Sequence, residues 1–311
     1  MPIATVNKKT VSVVIVTYNR KNELIRCIHA VKSQTIKPDN IIVVNNASTD
    51  GTEKTVVEQF AETVILLNLN ENTGGSGGFY TGLKYAHENL KTDLYWLMDD
   101  DGYPSNNCLE MLVSESGNYD YIMPASIDIN NHKNLSWPIR KRNGKKTESY
   151  EELKSDWGKI LNYVTPFNGV LLSKKCVDEV GYINKDFFIW GDDYEHYYRC
   201  KKYGYNPVTL LSAEFYHPAN KVTLHPLIFG LTKIAYSESK IRMICLARNW
   251  TYIYLHYNQK YKIIIKFLMY TWLFLITRHG DFAGWKLYCA SVKDGFKGDF
   301  TRHLKYLEKN K

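Results

Sequence analysis

The chain has 311 residues, 44% hydrophobic and 23% charged, a balance that excludes a disordered or fibrous polypeptide and allows a sizeable core. Its formal net charge of +8 is unevenly placed: residues 1–224 carry 25 Lys and Arg against 27 Asp and Glu, residues 225–311 carry 15 against 5. The positive excess therefore lies wholly in the last part of the chain, which points to a second unit facing something anionic.

"VSVVIVTYNR" (11–20) is a β-branched run and reads as a buried parallel strand. "KNELIRCIHAVKSQ" (21–34) has apolar residues at Leu24, Ile25, Ile28 and Val31, a helical spacing. "DNIIVVNNASTDGT" (39–52) is a second buried strand ending in a polar turn, and "EKTVVEQFAE" (53–62) a second helix. "TVILLNLNEN" (63–72) is a third strand, "TGGSGG" (73–78) a Gly-rich turn, "FYTGLKYAHENL" (79–90) a third helix. "DLYWLM" (93–98) is a fourth strand that runs into "DDDGYP". Strand and helix alternate with short connections, the pattern of a parallel α/β sheet, in which ligands bind beyond the carboxyl ends of the strands. The loops "TYNR", "NNASTDGT", "NTGGSGG" and "DDDGYP" all fall at that rim.

Further on, "NNHKNLSWPIRKRNGKKTES" (130–149) is polar and basic and reads as a mobile loop or a short hairpin. "NGVLLSKKCVDEVG" (168–181) reads as strand then helix, "FFIWGDDYEHYYRCKKYGY" (187–205) puts a second acidic cluster at a helix start, and "NPVTLLSAEFYHP" (206–218) is a strand ending at His217. Six scattered cysteines with no CxxC pair read as buried reduced thiols of a cytosolic protein, and "MPIATVNKKT" has no apolar signal-peptide core.

Three adjacent carboxylates repel one another and gain nothing unless something positive sits among them. Hard oxygen donors at a strand end suit Mg²⁺ or Mn²⁺. Asp99 and Asp101 point the same way if the backbone stays extended, with Asp100 turned elsewhere, toward a ribose or a sugar. His217 is a further candidate ligand, and Asp192, Asp193 and Glu195 either cap their helix or supply a general base. "NTGGSGG" lacks the Lys-Ser/Thr ending of a phosphate-binding P-loop.

Taken in order, "VSVVIVTYNR", "VVNNASTDGT", "DDD", "NGVLLSKKCVDEVG", "WGDDYEHYYR" and "YHP" resemble the family-two glycosyltransferases, which have the GT-A fold: a mostly parallel sheet flanked by helices. "NENTGGSGGFYTGL" together with "MDDDGYP" makes the chain similar to bacterial galactofuranosyltransferases, which use UDP-galactofuranose; rhamnosyltransferases share much of the pattern. The resemblance implies a GT-A catalytic domain at 1–224. It implies that Thr17, Tyr18 and Asn45 contact the nucleotide, Asn45 standing where the family often has Asp. It further implies Mn²⁺ or Mg²⁺ on Asp99, Asp101 and His217, and donor contacts from Asp100, Trp190 and Asp192. Gly74, Gly75, Gly77 and Gly78 would allow close approach of donor or acceptor, and Asp193 would be the base of an inverting displacement. The partners implied are a UDP-sugar donor and a lipid-linked or oligosaccharide acceptor of bacterial surface polysaccharide synthesis, O-antigen among them.

Residues 225–311 read as a helical basic region. The apolar run Ile263 to Thr277 is 15 residues long and contains Lys266, short of the roughly 20 needed to span a bilayer. Lys260, Lys262, Arg278 and Lys286 with Trp250, Trp272 and Trp285 suit a helix lying in a membrane interface, or a subdomain packed on the core or on a second subunit. The interface reading places the protein in the cytoplasm, peripheral on the inner membrane face. The competing readings are a non-catalytic membrane or polyanion-binding protein and a metal phosphohydrolase. Nucleic acid is disfavoured, because the acidic loops would repel it without metal.

Overall fold

The computed structural model describes residues 9–161, 167–219 and 223–307; the signal-peptide reading of the first residues falls largely outside them. The chain forms two compact units, Met1–Lys185 with Arg199–Asn220, and Asp186–Tyr198 with Lys221–Lys311.

In the first unit, β1 (Val11–Thr17) is buried along its whole length, as a strand covered on both faces must be. Helix α1 (Lys21–Lys32) buries Leu24, Cys27, Ile28 and Val31, one stripe of a 3.6-residue period. β2 (Asn40–Asn45) runs parallel to β1 with Asn45 opposite Thr17. Then come α2 (Thr52–Phe60), β3 (Ile65–Asn68) parallel to β2, α3 (Gly74–Asn89) and β4 (Leu94–Asp99) parallel to β1. The polar ends of β1, β2 and β4 thus share one rim.

Beyond β4 the sheet becomes mixed. β5 (Tyr103–Pro104), α4 (Cys108–Glu115) and β6 (Tyr121–Asp128) precede the hairpin of β7 (Asn134–Arg140) and β8 (Lys146–Ser149). After α5 (Tyr150–Trp157) and β9 (Ile160–Leu161) come β10 (Asn168–Ser173), α6 (Lys174–Val180), α7 (Asp192–Lys202) and β11 (Val208–His217). The sheet order is β3-β2-β1-β4-β10-β6-β11-β5, with β10 antiparallel to both its neighbours. Trp96, wholly buried in β4, satisfies its ring nitrogen on the Gly169 carbonyl at 2.8 Å. Of the two readings of 130–149, the hairpin is the one observed. None of the six cysteines forms a disulfide, and Cys176 and Cys200 keep their sulfurs 3.8 Å apart.

The second unit is built from the hairpin β12 (Leu224–Leu227) and β13 (Thr232–Ala235), then α8 (Lys240–His256), α9 (Tyr261–Trp272), α10 (Phe282–Lys297) and α11 (Leu304–Leu307). Leu227, Ile234, Tyr270, Leu273 and Phe274 share one apolar core. Among the described residues, no helix is long and apolar enough to cross a membrane. The segment that carries Asp192 and Asp193 belongs with these C-terminal helices, so the compact units are not two consecutive stretches of chain.

Candidate active site

In the first unit the triple aspartate turns as soon as the strand ends. Asp99 is the last residue of β4, opposite Val16 of β1, and Asp100 and Asp101 lie in a turn. The extended backbone on which the pairing of Asp99 with Asp101 was premised is therefore not there. Asp100 instead points inward, almost wholly buried, and accepts from the Thr17 hydroxyl at 2.6 Å. Burial pushes its pKa up to about 6, against the pull of that hydroxyl and of Arg20.

Arg20 is the positive group the three aspartates require, and the sequence reading passed over it. Its Nη1 lies 2.6 Å from Asp101 Oδ2 and 3.1 Å from Asp100 Oδ1. Burial alone would lower the guanidinium's pKa, but the three carboxylates raise it, Asp101 most. Asp101 responds in the opposite sense: burial would raise it, yet His217 and Arg20 hold it below the usual carboxylate range. The signal was present in "TYNR", where a cation follows a strand end beside an acidic strand end.

His217 closes the other side, with Nε2 3.1 Å from Asp101 Oδ1. Its Nδ1 is 2.7 Å from the Pro218 carbonyl oxygen, so that nitrogen carries a proton and Nε2 is the atom turned on the carboxylate. Nε2 and the carboxylate oxygen are held together by a proton on Nε2 or by a metal cation between them; with neither, two acceptors would face each other. Two donors at right angles on a cation with bonds of about 2.1 Å stand about 3 Å apart. Among the described residues there is no ready-made cage of three or more His, Cys, Asp and Glu. What the chain offers fits a hard cation that keeps most of its shell for water and phosphate oxygens. Trp137 of the β7 hairpin lies against the His217 ring at 4.8 Å, and Ser136 donates to the His217 carbonyl at 3.0 Å. Both come from the polar stretch 130–149 that read as a mobile loop or a short hairpin.

The neighbouring loops are stitched to one another. Asn19 accepts from the Thr49 backbone at 2.7 Å, and Asp50 accepts from the backbone of Lys21 and of Thr52. Asn45 donates to Asn68 at 2.9 Å and accepts from the Ser48 backbone at 3.0 Å, while Tyr18 is exposed. Asn46, another residue the sequence reading missed, accepts from the Thr73 backbone and hydroxyl and donates to the Gly74 carbonyl at 2.9 Å. It fixes the Gly-rich segment to the end of β2.

That segment is the first turn and a half of α3, not a turn before it. Gly74 has φ +71°, which favours glycine. A methyl at Gly77 would strike Thr73 and one at Gly78 would strike Val16, whereas one at Gly75 meets open space. Gly77 and Gly78 are thus demanded by packing. Gly75 is the position with room to spare.

In the second unit, the backbone before α7 takes positive φ at Phe188, Trp190 and Gly191. Asn249 of α8 donates to the carbonyls of Phe187, Ile189 and Trp190 at 3.0, 3.0 and 2.7 Å. The buried Arg248 donates to Phe187 and Phe300 carbonyls and orients Asn249 through its Nε at 2.8 Å. These two residues hold the strained loop that leads into Asp192 and Asp193. Asp193 keeps some solvent contact, yet burial and then the Asp192 carboxylate push its pKa up to about 7. Glu195 is buried and accepts from the Tyr257 hydroxyl at 2.6 Å. Arg242 stands 5.8 Å from the Trp190 ring.

Known proteins resemble this chain over most of its length. The family model described as Glycosyl transferase family 2 matches residues 12–181, more than half of the chain. A galactofuranosyltransferase GlfT1 of Mycolicibacterium smegmatis is 28% identical over 301 residues, covering 94% of this chain and 99% of that protein. The GlfT1 of Mycobacterium tuberculosis H37Rv is 26% identical over 287 residues, covering 89% of this chain and 93% of that one. A crystal structure of GalNAc-T7 with UDP, GalNAc and Mn²⁺ shares the fold at TM-score 0.54 and 14% identity, over 80% of this chain and 50% of that chain.

Proposed function

The chain belongs to glycosyl transferase family 2, and from that premise we propose that it is a metal-dependent, inverting UDP-sugar transferase that moves galactofuranose from UDP-galactofuranose to a hydroxyl of a lipid-linked glycan. The observation that carries the proposal is the Arg20–Asp101–His217 cluster at the rim of a parallel sheet, a place suited to a nucleotide diphosphate. The donor sugar rests on the two GlfT1 relatives, each similar over most of both chains. The catalytic part is taken as residues 1–224, followed in the chain by the helical basic region from 225 onward.

Thr17, Tyr18 and Asn45 lie along the β1 and β2 ends, where a nucleotide would rest. Asp100, Gly74, Gly75, Trp190 and Asp192 are assigned to the donor. Asp99, Asp101 and His217 would hold Mn²⁺ or Mg²⁺, which when bound offsets charge on the departing diphosphate. Asp193 takes the proton of the acceptor hydroxyl. That oxygen bonds to C1 of the sugar as the C1–oxygen bond to UDP breaks on the opposite face, so one displacement inverts the centre. A base with a pKa near the working pH suits that task, and Asp193 has one of about 7. A lipid-linked acceptor would put the reaction at the inner face of the cytoplasmic membrane.

The test is a donor screen. Purified protein receives Mn²⁺ or Mg²⁺, a panel of nucleotide sugars including UDP-galactofuranose formed in place by a mutase, and a synthetic lipid-linked galactoside. EDTA-sensitive UDP release with a product heavier by one hexose supports the proposal. Transfer from another donor, a rhamnosyl one for example, keeps the mechanism and discards the sugar. Phosphate or UMP released without glycoside would overturn it.

A further inference from the structure

The second unit exposes an apolar face that its own fold does not use. Helix α9 presents Tyr261, Ile264, Ile265 and Leu268 to solvent, a spacing of 3, 4 and 7 that makes one stripe, while Tyr270 on the opposite side is buried. The next position of that stripe is Trp272, and the ring of Phe229 lies 6.3 Å from it. Phe229 is 98% exposed and Leu231 84% exposed, at the tip of the hairpin β12–β13. The tip is "IFGL", four residues without a polar side chain, and Ile228 and Phe229 both take positive φ (50° and 54°). Bulky side chains avoid that conformation, so the hairpin is held in a costly shape that keeps Phe229 outward. The Tyr270 hydroxyl donates to the Ala235 carbonyl at 2.7 Å and ties the hairpin to the buried side of α9.

Charge decides what covers this face. Lys260, Lys262 and Lys266 lie on or beside α9, and Lys233 is exposed near the hairpin tip. No Asp or Glu occurs in α9. A second copy of the chain brought to the same face would add its own lysines to these; anionic headgroups complement them. At 12 residues α9 is about 18 Å long, too short to cross a bilayer and suited to lying in its surface.

We infer that α9 and the hairpin tip form one bilayer-docking face, with Phe229 and Leu231 inserting among acyl chains beside the stripe Tyr261–Ile264–Ile265–Leu268, and with Lys260, Lys262, Lys266 and Lys233 meeting anionic phospholipid headgroups. The position of Lys266 agrees with this: burial and the nearby Lys262 lower its pKa, a strain that an adjacent phosphate would relieve. The inference does not depend on the donor or on turnover.

Vesicle flotation of the full chain tests it, with phosphatidylglycerol-containing vesicles against pure phosphatidylcholine. The parent protein floats with the anionic vesicles, and floats less as salt rises. The double variants Phe229→Ser/Leu231→Ser and Ile264→Ser/Leu268→Ser each lower the partition coefficient at least about tenfold. Lys262→Gln/Lys266→Gln removes the preference for anionic over neutral vesicles. All three pairs are checked for unchanged circular dichroism and melting. A parent protein that stays unbound on anionic vesicles overturns the inference, as does equal flotation of parent and variants. A dimer in sedimentation that these variants dissociate, with no flotation, assigns the face to a second copy and also overturns it.

Discussion

Arg20 Nη1 and Asp101 Oδ2 stand 2.6 Å apart, and the same nitrogen reaches Asp100 at 3.1 Å. One half-exposed guanidinium therefore serves two carboxylates, one of them almost fully buried. Replacing Arg20 by Ala leaves Asp100 and Asp101 to repel each other. Without metal the variant should lose about 1–2 kcal/mol in urea denaturation, the low end for charge-assisted bonds because Arg20 is half exposed. Mn²⁺ should restore more stability to the variant than it adds to the parent. An unchanged urea midpoint would remove Arg20 from this role.

His217→Ala should leave the fold in place but shrink the Mn²⁺-dependent rise in melting temperature. Trp137→Ala, which only frees the His217 ring, should have the same effect more weakly. Equal metal-induced shifts in parent and His217→Ala would exclude His217 as a ligand.

The pH dependence follows from Asp193, whose pKa is raised to about 7. A base acts when deprotonated, so kcat/KM should climb with pH through about 7 and level off above it. Asp192→Asn removes the like charge and should move that rise to lower pH, burial keeping part of the shift. The sign for stability is opposite. An unfolded aspartate ionises first, near 3.8, so the folded carboxylate is a growing liability from there up through about 7. Asp193→Asn should therefore abolish transfer and make the protein more stable at pH 8 than the parent, an advantage that fades toward pH 4. A variant that transfers sugar at the parent rate would end the assignment.

Asn249→Ala takes the side-chain donor from the Ile189 and Trp190 carbonyls of a strained loop, while Phe187 keeps Arg248. A loss of about 2–4 kcal/mol is expected, with kcat falling more than KM rises. Asn249→Asp should fare worse, since a carboxylate would face three acceptors. Guanidinium melts and steady-state kinetics on both variants check this.

The glycines separate packing from ligand approach. Gly78→Ala overpacks against Val16 and should cost about 1–3 kcal/mol. Gly75→Ala meets nothing and should stabilise α3 by up to about 1 kcal/mol. If the donor lies against this helix end, Gly75→Ala raises KM while raising the melting temperature. An unchanged KM would place the donor elsewhere.

The first half of the fold was legible because β1, β2 and β4 are buried along nearly their whole length: β1 and β2 show as runs rich in Val and Ile, and β4 as the apolar run Leu94–Met98. The acidic segment at 192 was likewise read as a helix start, and α7 begins there. The Gly-rich segment was misplaced because four of its six residues are glycine and the other two are Thr and Ser, weak helix formers, yet Val16 and Thr73 need a bare helix surface there. Arg20 and Asn46 were missed for another reason. Their partners are distant in sequence, Asp101 and Thr73, and no local period reports a contact across loops. The hairpin at 224–235 was hidden by its tip, where four apolar residues stand in place of the polar turn that marks most hairpins.

The helix that opens with Asp192 and Asp193 begins in the compact unit of the C-terminal helices, while the stretch matched by the family model ends at 181. A truncated protein ending at 224 would keep every residue of the Arg20–Asp101–His217 cluster yet lose Arg248 and Asn249, on which the approach to Asp193 hangs. Such a fragment should capture nucleotide and turn over nothing. In an exchange of C-terminal segments between relatives, Arg248 and Asn249 would travel with the exchanged piece, and a chimera joined at 224 would work only if the incoming α8 brought the same pair.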